Sequence, residues 1–545
     1  MKKILIGLLS LCSLSVSAQK QNSSLPRPKL VVGIVVDQMR WDYLYRYYDR
    51  YQPNGFKRLL NEGFTCENTY INYIPTVTAI GHATAYTGSV PAIHGIAGNE
   101  FIIQASGKQM YCTEDSTVQT VGSTSNAGKM SPRNLLASTI TDELKLATNF
   151  RSKVIGVALK DRGSILPAGH AADAAYWFDN SGVWITSTFF MNELPDWVKK
   201  FNEQRLPEKY LKQDWNTLYD IKTYVQSSPD ENPYEGPFTG SEKATFPVKT
   251  SGMFSKSFDI IRTTPYGNTL TAEFAKAAIE NEQLGRDDIT DFLAVSFSSP
   301  DYIGHRFGVN AVEIEDTYLR LDKDLASLLS YIDTKVGKGT YTVFLTADHG
   351  AAHNPNFMQD NKLSAGYWNS GQFQRELNTL LEQTYNEKNL VRSFSNGQVH
   401  LNNGLIESSK LNEEAIRRDI VKFLRKKPNI AFVVDNNNVG ESGVPELLAE
   451  RIKNGYNIKR SGVITYVLEP GWYTGGNTKA TGTTHGTWNA YDAHIPMLWM
   501  GWGIKHGSTN RATNMTDIAP TVAALLHIQE PNGNIGRPIE EALKK

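Results

Sequence analysis

Runs of apolar residues, many of them β-branched, recur along the chain, and three of these runs are followed closely by an aspartate. The runs are Leu30–Val36, Phe292–Phe297 and Thr342–Thr346, and the aspartates are Asp37, Asp301 and Asp348. A strand that is apolar throughout is typical of a parallel sheet covered on both faces. Because parallel strands end at one edge of a sheet, where ligands bind in open α/β folds, we expect these carboxylates to share a site.

Helical patterns alternate with the strands. Asp259–Gln283 and Glu313–Asp333 have the pattern of helices, and Lys153–Leu159 is a further apolar strand. Tyr176–Thr188 has the pattern of a hairpin around Asp179–Gly182. This alternation predicts an α/β fold with a mostly parallel central sheet and helices on both faces.

Two stretches interrupt the pattern and are expected to be insertions. Residues 192–256 lose regular periodicity and gain proline, tryptophan and charge, and we expect them to lie over the site. Residues 362–459 contain elements of their own, which predicts a cap. These elements are a hairpin through Asn402–Gly404, a helix over Asn412–Leu424 and a strand over Ile430–Val434. Ile464–Leu468 is expected to resume the core, and size alone allows one domain with insertions or two to three domains.

The first 18 residues have the pattern of a secretory signal. Lys2 and Lys3 precede the apolar stretch Ile4–Leu14, and a small-residue cleavage pattern ends at Ala18. No other run approaches the roughly 18 apolar residues of a membrane span. We therefore expect a secreted, soluble chain of residues 19–545 that has no membrane partner once the signal is removed.

Charge and cysteine content narrow the class of protein. The sequence has 56 basic and 56 acidic residues, and loss of Lys2 and Lys3 with the signal leaves a net charge near −2. The global basic field of a nucleic-acid-binding protein is therefore missing, and we expect no nucleic acid as a stable partner. Cys66 and Cys112 would be the two cysteines left in an oxidising compartment. We expect a disulfide between them, the alternative being two free, buried cysteines.

A helix is predicted to begin at Thr78. Pro75 and the β-branched residues after it disfavour helix, whereas Ala79–Tyr86 favours it. Taken alone, a threonine at this position is more often an N-cap. The alternative is a nucleophile at a helix N-terminus, where N–H groups attract phosphate. The nearby His82 and His94 are expected to be structural.

Three further side chains could hold an anion. Asn99 lies in a predicted turn and could donate an amide hydrogen bond, and Lys160 and Arg162 follow the strand Lys153–Leu159. A basic pair after a strand usually belongs to a solvated loop. Because the pair lies at the same sheet edge as three aspartates, it becomes a candidate for binding a dianion, with the arginine guanidinium donating two parallel hydrogen bonds.

Three imidazoles join the aspartates as candidate metal ligands, namely His305, His349 and His485. Asp301 and His305 are four residues apart, which puts them on one side of a helical turn, and His485 lies in the small-residue loop TGTTHG. Three ligands per ion would leave an open position on each of two metals, as in catalytic zinc sites. Magnesium would prefer fewer imidazoles. Two zinc ions about 4 Å apart could clamp the attacking and leaving oxygens of a displacement at phosphorus.

Five motifs together resemble the alkaline phosphatase superfamily. In order along the chain they are VVDQMR, PTVTAIGHATAYTG, SPDYIGHRFG, LTADHG and THG. The resemblance covers the core segments at about 28–190, 257–360 and 460–530. It is strongest to the phosphate-irrepressible alkaline phosphatases of the bacterial periplasm, in which threonine replaces serine as the nucleophile. The resemblance implies a periplasmic enzyme with two zinc ions.

The resemblance also implies a role for each candidate residue. One zinc ion would be held by Asp301, His305 and His485. The other would be held by Asp37, Asp348 and His349, with the Thr78 oxygen as fourth ligand and as nucleophile. The transferred phosphoryl group would be bound by Asn99, Lys160 and Arg162. This implication reverses the preference for a simple N-cap at Thr78.

We therefore expect a monomeric phosphomonoesterase that hydrolyses small-molecule phosphate monoesters through a covalent phosphothreonine. The alternative within the superfamily is a nucleotide pyrophosphatase/phosphodiesterase, which shares the threonine, the asparagine and all six ligands. Lys160 and Arg162 match the charge of a monoester dianion and favour the monoesterase. A sulfatase is disfavoured because no C/S-x-P-x-R motif is present, and a non-catalytic binding protein because no candidate ligand is missing.

Overall fold

The structure is a computed structural model that describes residues 25–254, 257–475 and 479–544. The predicted signal at residues 1–18 lies outside the described residues. Within the three described ranges, no helix has the length and apolar character needed to cross a membrane.

Strands and helices alternate along most of the chain. The strands are β1 (Leu30–Val36), β2 (Phe64–Cys66), β3 (Thr69–Tyr70), β4 (Glu100–Ile102), β5 (Gln109–Tyr111), β6 (Thr120–Val121), β7 (Val154–Ala158), β8 (Ala174–Asp179), β9 (Val183–Ser187), β10 (Asp291–Phe297), β11 (Tyr341–Thr346), β12 (Gly366–Trp368), β13 (Val391–Ser395), β14 (Gln398–Leu401), β15 (Ile430–Asp435), β16 (Ile464–Leu468), β17 (Trp472–Thr474), β18 (Met497–Gly501), β19 (Gly507–Thr509) and β20 (Thr513–Asn514). The helices are α1 (Tyr43–Arg46), α2 (Phe56–Glu62), α3 (Thr78–Thr87), α4 (Pro91–His94), α5 (Ile140–Ala147), α6 (Asp161–Ala168), α7 (Asp196–Glu203), α8 (Leu206–Leu211), α9 (Tyr266–Asn281), α10 (Ser299–Phe307), α11 (Val312–Ile332), α12 (Pro355–Asp360), α13 (Ser370–Tyr385), α14 (Asn403–Ser408), α15 (Glu413–Leu424), α16 (Glu446–Gly455), α17 (Ala490–Ala493) and α18 (Ile518–Leu526).

A ten-stranded sheet forms the centre of the molecule, in the order β19-β2-β18-β11-β1-β10-β7-β8-β9-β6. The strands from β11 to β8 in this order are parallel, whereas β18 and β9 run antiparallel to their neighbours β11 and β8. Every residue of β1, β10 and β11 is buried, as expected of strands covered on both faces. The predicted α/β fold with a mostly parallel sheet is confirmed, and β1 has the bounds that its apolar run indicated.

Helix α3 is held against the edge of the sheet by two close approaches. A Cβ atom at Gly33 in β1 would collide with the Tyr86 hydroxyl, so the missing side chain lets α3 reach the sheet. A Cβ atom at Gly81 of α3 would collide with the backbone of Asp348. These contacts fix the N-terminus of α3, and with it Thr78, beside the ends of β1 and β11.

A second, antiparallel sheet has the strand order β13-β14-β16-β15 and a hydrophobic cluster of its own. The prediction that Ile464–Leu468 resumes the core is wrong, because this strand, β16, pairs with β14 and β15. The predicted hairpin at Asn402–Gly404 is also wrong. Asn403 begins α14, and the turn between β13 and β14 lies at Asn396 and Gly397, both with positive φ. An apolar run indicates a strand but not the sheet it joins. An Asn-Gly pair makes the hairpin turn at Asn396 and Gly397, whereas the same pair at Asn403 and Gly404 begins a helix.

The described part of the predicted insertion at 192–256, residues 192–254, packs mainly beside the central sheet. Helices α7 and α8 contact α9, and the Trp215 indole donates to Asp316 Oδ2 in α11 at 2.8 Å. The turn around Tyr234 approaches the loop that carries His485, and its carbonyl accepts from Gly482 N at 2.7 Å. This segment therefore borders the site with one turn and does not cover it as a whole.

Cys66 and Cys112 are free and buried, so the predicted disulfide is wrong and the alternative is right. Cys66 ends β2, near one end of the central sheet, whereas the Cys112 N–H donates to Asn99 O at 2.9 Å. Burial raises the pKa of both thiols to about 12. Both thiols therefore stay protonated at neutral pH, which makes them poor nucleophiles. An even cysteine count does not reveal that the fold keeps the two apart.

Candidate active site

The three strand-end aspartates meet at one edge of the central sheet. Asp37 follows β1, Asp348 follows β11 after one residue, and Asp301 lies in the first turn of α10, after β10. Each of these residues is at most 4% exposed. Since β10, β1 and β11 are adjacent parallel strands, the order of the sheet itself brings the carboxylates together.

Asp301, His305 and His485 form one group of candidate metal ligands, which we call the open group. His305 Nε2 lies 3.1 Å and His485 Nε2 lies 3.7 Å from Asp301 Oδ1. Asp301 and His305 are one turn apart in α10, as their spacing predicted. The His305 side chain is 41% exposed, so this group faces solvent.

Asp37, Asp348 and His349 form the other group, which we call the buried group. His349 Nε2 lies 3.6 Å from Asp37 Oδ1, 3.6 Å from Asp348 Oδ2 and 3.4 Å from Thr78 Oγ1. All four residues are at most 1% exposed. Asp301 lies close to both groups, because ligand atoms of Asp37, Asp301 and His349 all fall within 4.8 Å of one another.

All three imidazoles present Nε2 to the carboxylates because Nδ1 is bound elsewhere. The partners of Nδ1 are Thr483 O for His305 at 2.9 Å, Thr76 O for His485 at 2.7 Å and Gly350 O for His349 at 2.9 Å. A backbone carbonyl can only accept, so each Nδ1 carries a hydrogen, and in the neutral ring the lone pair then lies on Nε2. Metal-binding histidines are oriented in this way.

The carboxylates carry more negative charge than the surrounding protein compensates. Asp37 Oδ1 and Asp348 Oδ2 are buried and have no hydrogen-bond partner among the described residues. Burial and the nearby Asp348 carboxylate raise the pKa of Asp37 well above its usual value. Burial alone would raise the pKa of Asp301 too, but the charges of His305 and Lys160 hold it well below its usual value. Oxygen and imidazole donors around uncompensated negative charge fit divalent metal ions.

Lys160 contacts candidate ligands of both groups. Its Nζ donates to Asp37 Oδ2 at 2.6 Å and to Asp301 Oδ2 at 2.5 Å. Burial would lower the pKa of Lys160, but the carboxylates of Asp301 and Asp37 raise it above its usual value. Lys160 is only 3% exposed, so the interpretation of this stretch as a solvated loop is wrong for the lysine.

Asn99 and Arg162 are held by hydrogen bonds that leave donors for an anion. Asn99 Oδ1 accepts from Ala79 N at 2.9 Å, which orients the amide at the start of α3 and leaves Nδ2 to donate. Arg162 Nη1 donates to the Tyr111 hydroxyl at 2.9 Å, and that hydroxyl donates to Asp161 Oδ1 at 2.9 Å. Sequence reasoning missed Tyr111, because β5 is short and carries no motif.

Thr78 is the first residue of α3 and is not its N-cap. Val77 occupies the cap position and provides no side-chain hydrogen bond there. The Asn99 side chain instead accepts from the Ala79 N–H. The N-cap interpretation of Thr78 is therefore wrong, and its hydroxyl lies next to His349 Nε2.

Two residues inside the motifs VVDQMR and PTVTAIGHATAYTG organise the site, although neither was predicted to be a ligand or to bind the anion. Gln38 has a φ of 64° and donates from its backbone N to Asp348 Oδ1 at 3.1 Å and from Nε2 to Asp301 Oδ1 at 2.7 Å, so it spans both groups. Its place in the motif VVDQMR, directly after a strand-end aspartate, was the available signal. His82, expected to be structural, places Nδ1 2.9 Å from Thr78 O and 3.4 Å from Asp348 Oδ2.

Comparisons with known proteins agree with this arrangement. Residues 31–491 match the family described as type I phosphodiesterase / nucleotide pyrophosphatase. The chain is 58% identical, over 98% of both chains, to a Myroides odoratus protein described as a calcium-transporting ATPase. It is 50% identical, over 99% of both chains, to alkaline phosphatase PafA of Elizabethkingia meningoseptica. The crystal structure of wild-type alkaline phosphatase PafA has a TM-score of 0.93 to this structure and 50% identity, covering 96% of this chain and 100% of that chain.

The family match spans more than half of the chain, and the similarity to the two relatives extends over nearly its full length. The TM-score of 0.93 shows that the central sheet and the antiparallel sheet have counterparts in a solved alkaline phosphatase. The chain therefore belongs to the type I phosphodiesterase / nucleotide pyrophosphatase family, within the alkaline phosphatase superfamily.

Proposed function

We propose that this protein is a phosphomonoesterase of the alkaline phosphatase type, with Thr78 as its nucleophile. The observation that carries the proposal is the position of the Thr78 hydroxyl. It lies at the first residue of α3, 3.4 Å from His349 Nε2 and beside two groups of candidate metal ligands. The 50% identity to alkaline phosphatase PafA over nearly the whole chain supports the same activity.

The proposed reaction consists of two displacements at phosphorus. Thr78 Oγ1 gives up its proton to solvent and forms a bond to phosphorus while the bond to the ester oxygen breaks, and the departing alkoxide takes up a proton from solvent and leaves as the alcohol. Water then attacks the phosphothreonine, which releases inorganic phosphate and restores the threonine hydroxyl. In this proposal the Asn99 amide and the N–H groups at the start of α3 stabilise the negative phosphoryl oxygens, except for the Ala79 N–H, which donates to Asn99 Oδ1.

The open and the buried group would each hold one zinc ion. The open group supplies Asp301, His305 and His485, and the buried group supplies Asp37, Asp348 and His349. Imidazoles make up three of the six ligands, and these groups contain no thiolate, which favours zinc over magnesium. When bound, such ions supply positive charge that favours the alkoxide of Thr78 and the departure of the alcohol.

The family description refers to phosphodiesterases, but the charge at the site favours a monoester. A monoester brings two negative charges and a diester brings one. Two of the three N–H groups of Lys160 bond to Asp37 and Asp301, which leaves the third for a phosphoryl oxygen. Arg162, oriented by Tyr111, supplies the second positive charge.

One relative is described as a calcium-transporting ATPase. The terminal phosphoryl group of ATP has a single bridging oxygen, as a phosphate monoester does. The proposed site would attack it by the same chemistry, so hydrolysis of ATP would be expected without a second active site.

We further propose that the protein acts as a monomer in the periplasm, on small-molecule phosphate monoesters. The basic and apolar pattern of residues 1–18 supports export. Amino-terminal sequencing of protein purified from the periplasm should begin at Gln19, and retention of Met1 would contradict export by cleavage of this signal.

Hydrolysis of para-nitrophenyl phosphate and of bis-para-nitrophenyl phosphate tests the proposal. We expect a higher kcat/KM for the monoester, loss of activity with a chelator, and better recovery with zinc than with magnesium. A higher kcat/KM for the diester would support the phosphodiesterase alternative. Equal recovery with magnesium would contradict the zinc assignment.

A further inference from the structure

A cavity of about 230 Å³ opens beside the site. On one side it is lined by Val77, which directly precedes Thr78, and by His485 of the open group. On the other side it is lined by the antiparallel sheet and β17. We propose that this cavity binds the leaving group and selects phosphate monoesters whose leaving group is uncharged and carries a planar aromatic ring. This inference rests on the proposed phosphomonoesterase activity.

The cavity is placed to receive the leaving group rather than the transferred phosphoryl group. In a displacement at phosphorus, the leaving oxygen departs on the side opposite the nucleophile. Thr78 Oγ1 lies with the buried group, 3.4 Å from His349 Nε2. The leaving oxygen would therefore face the open group, to which the cavity-lining His485 belongs.

Four aromatic side chains line the cavity, namely Phe394, Tyr466, Trp472 and Tyr473. The ring centroids of Phe394 and Tyr466 are 5.6 Å apart and their planes meet at 39°, so the two rings form adjoining faces. The Tyr466 hydroxyl and the Trp472 indole N–H are buried and have no partner among the described residues. Neither polar atom is exposed to the cavity, so a bound group would contact the faces and edges of the rings.

The lining of the cavity carries no charge to match an anionic leaving group. Its described residues include no lysine, arginine, aspartate or glutamate. Its volume is below the range of about 300–1,000 Å³ typical of drug-sized ligands, which limits the occupant to one or two rings. Planar rings pack on aromatic faces better than saturated chains do. The lining therefore favours aryl and benzyl esters and disfavours ADP, the leaving group of ATP.

The hairpin that carries Phe394 is fixed against the site. Asn396, in its turn, donates from Nδ2 to Glu100 O at 3.0 Å. A Cβ atom at Gly98 would collide with the Asn396 side chain, so the hairpin lies directly on the turn that contains Asn99. The aromatic wall is thus preorganised relative to the proposed phosphoryl-binding residue, which lowers the cost of binding a ring.

Benzyl phosphate and ethyl phosphate test the inference, because both are esters of primary alcohols and the same type of bond breaks. For the wild-type holoenzyme we expect kcat/KM to be about tenfold higher for benzyl phosphate. Phe394→Ala should reduce the benzyl-to-ethyl ratio to about threefold or less. Phe394→Leu keeps an apolar side chain but removes the ring, and it should also reduce the ratio. Phe373→Ala is the matched control, because Phe373 also packs on Trp368 but does not line the cavity, and it should keep the wild-type ratio.

Cyclohexylmethyl phosphate separates planarity from apolar character, and its kcat/KM should lie below that of benzyl phosphate. Equal values for these two esters would overturn the inference, as would a benzyl-to-ethyl ratio that is unchanged in both Phe394 variants. Circular dichroism melting of each variant identifies any loss of fold, and the wild-type comparison of the three esters stands without any variant. If the enzyme hydrolyses none of the three esters, the proposed phosphomonoesterase activity itself is overturned. Hydrolysis of all three with equal kcat/KM would overturn only the aromatic pocket.

Discussion

The buried and the open group offer the same ligand types in different surroundings. Asp37, Asp348 and His349 are at most 1% exposed, and two of their carboxylate oxygens have no partner among the described residues. In the open group both oxygens of Asp301 accept hydrogen bonds, and the His305 side chain is 41% exposed. The buried group therefore depends more on a bound cation to offset its charge, whereas the open group is the side from which, in the proposed mechanism, substrate enters and alcohol leaves.

The largest effect is expected at Thr78, the proposed nucleophile, which lies with the buried group. Thr78→Ala should lower kcat for para-nitrophenyl phosphate by at least about 10³-fold, because the covalent route is lost. Zinc content, measured by plasma mass spectrometry, should stay near the wild-type value because six protein ligands remain. Thr78→Ser is the matched control and should keep substantial activity. An alanine variant with near wild-type kcat would show that another group attacks phosphorus.

Loss of one imidazole should affect the two groups differently. His349→Ala should remove one metal equivalent, lower kcat by about 100-fold or more, and lower the Tm, because buried carboxylates lose their cation. His305→Ala should also lower metal content and activity but should change the Tm less, because its side chain is already partly solvated. Calorimetry gives the Tm of each variant, and metal analysis gives its metal content. An equal loss of Tm in the two variants would remove the distinction between the groups.

The preference for monoesters should depend on Arg162. Arg162→Ala should lower kcat/KM for a monoester by about 10- to 100-fold and change diester hydrolysis much less, because a diester has no second negative charge to pair. Arg162→Lys keeps the charge but loses the planar guanidinium. Its kcat/KM for the monoester should therefore lie between those of the wild type and of Arg162→Ala. Equal losses on both substrates would make the arginine structural and reopen the phosphodiesterase alternative. Lys160 is a less direct probe, since it also bonds to Asp37 and Asp301.

The smallest effect is expected at Gln38, which links the two groups. Gln38→Asn keeps a residue type that tolerates the positive φ but shortens the side chain that reaches Asp301. Zinc affinity, measured by competition with a chromophoric chelator, should fall roughly tenfold, since residues that orient metal ligands commonly contribute that much. Unchanged affinity would mean that the carboxylates are positioned without this contact.

The sequence predicted those parts of the site that local patterns encode. A buried strand has to be apolar throughout, so the residue at its end stands out, and Asp37 and Asp348 were found in this way. The four-residue spacing of Asp301 and His305 followed from helix geometry. The central sheet was equally predictable, because its strands are buried on both faces.

Features that depend on contacts between distant segments could not be predicted. Tyr111 orients Arg162 across 51 positions, and nothing in the short strand β5 marks it. The apolar run at β16 has no local feature that assigns it to the antiparallel sheet rather than to the central one. The two cysteines fit a disulfide by count, and only the fold shows that they remain apart.

The stereochemical course at phosphorus tests the central claim most directly. A monoester made chiral with oxygen isotopes is supplied to the zinc-loaded enzyme with an acceptor alcohol, and the configuration of the product ester is determined by ³¹P NMR. Two in-line displacements, the first by Thr78 Oγ1, predict overall retention of configuration. Inversion would show a single direct displacement and would contradict the covalent phosphothreonine.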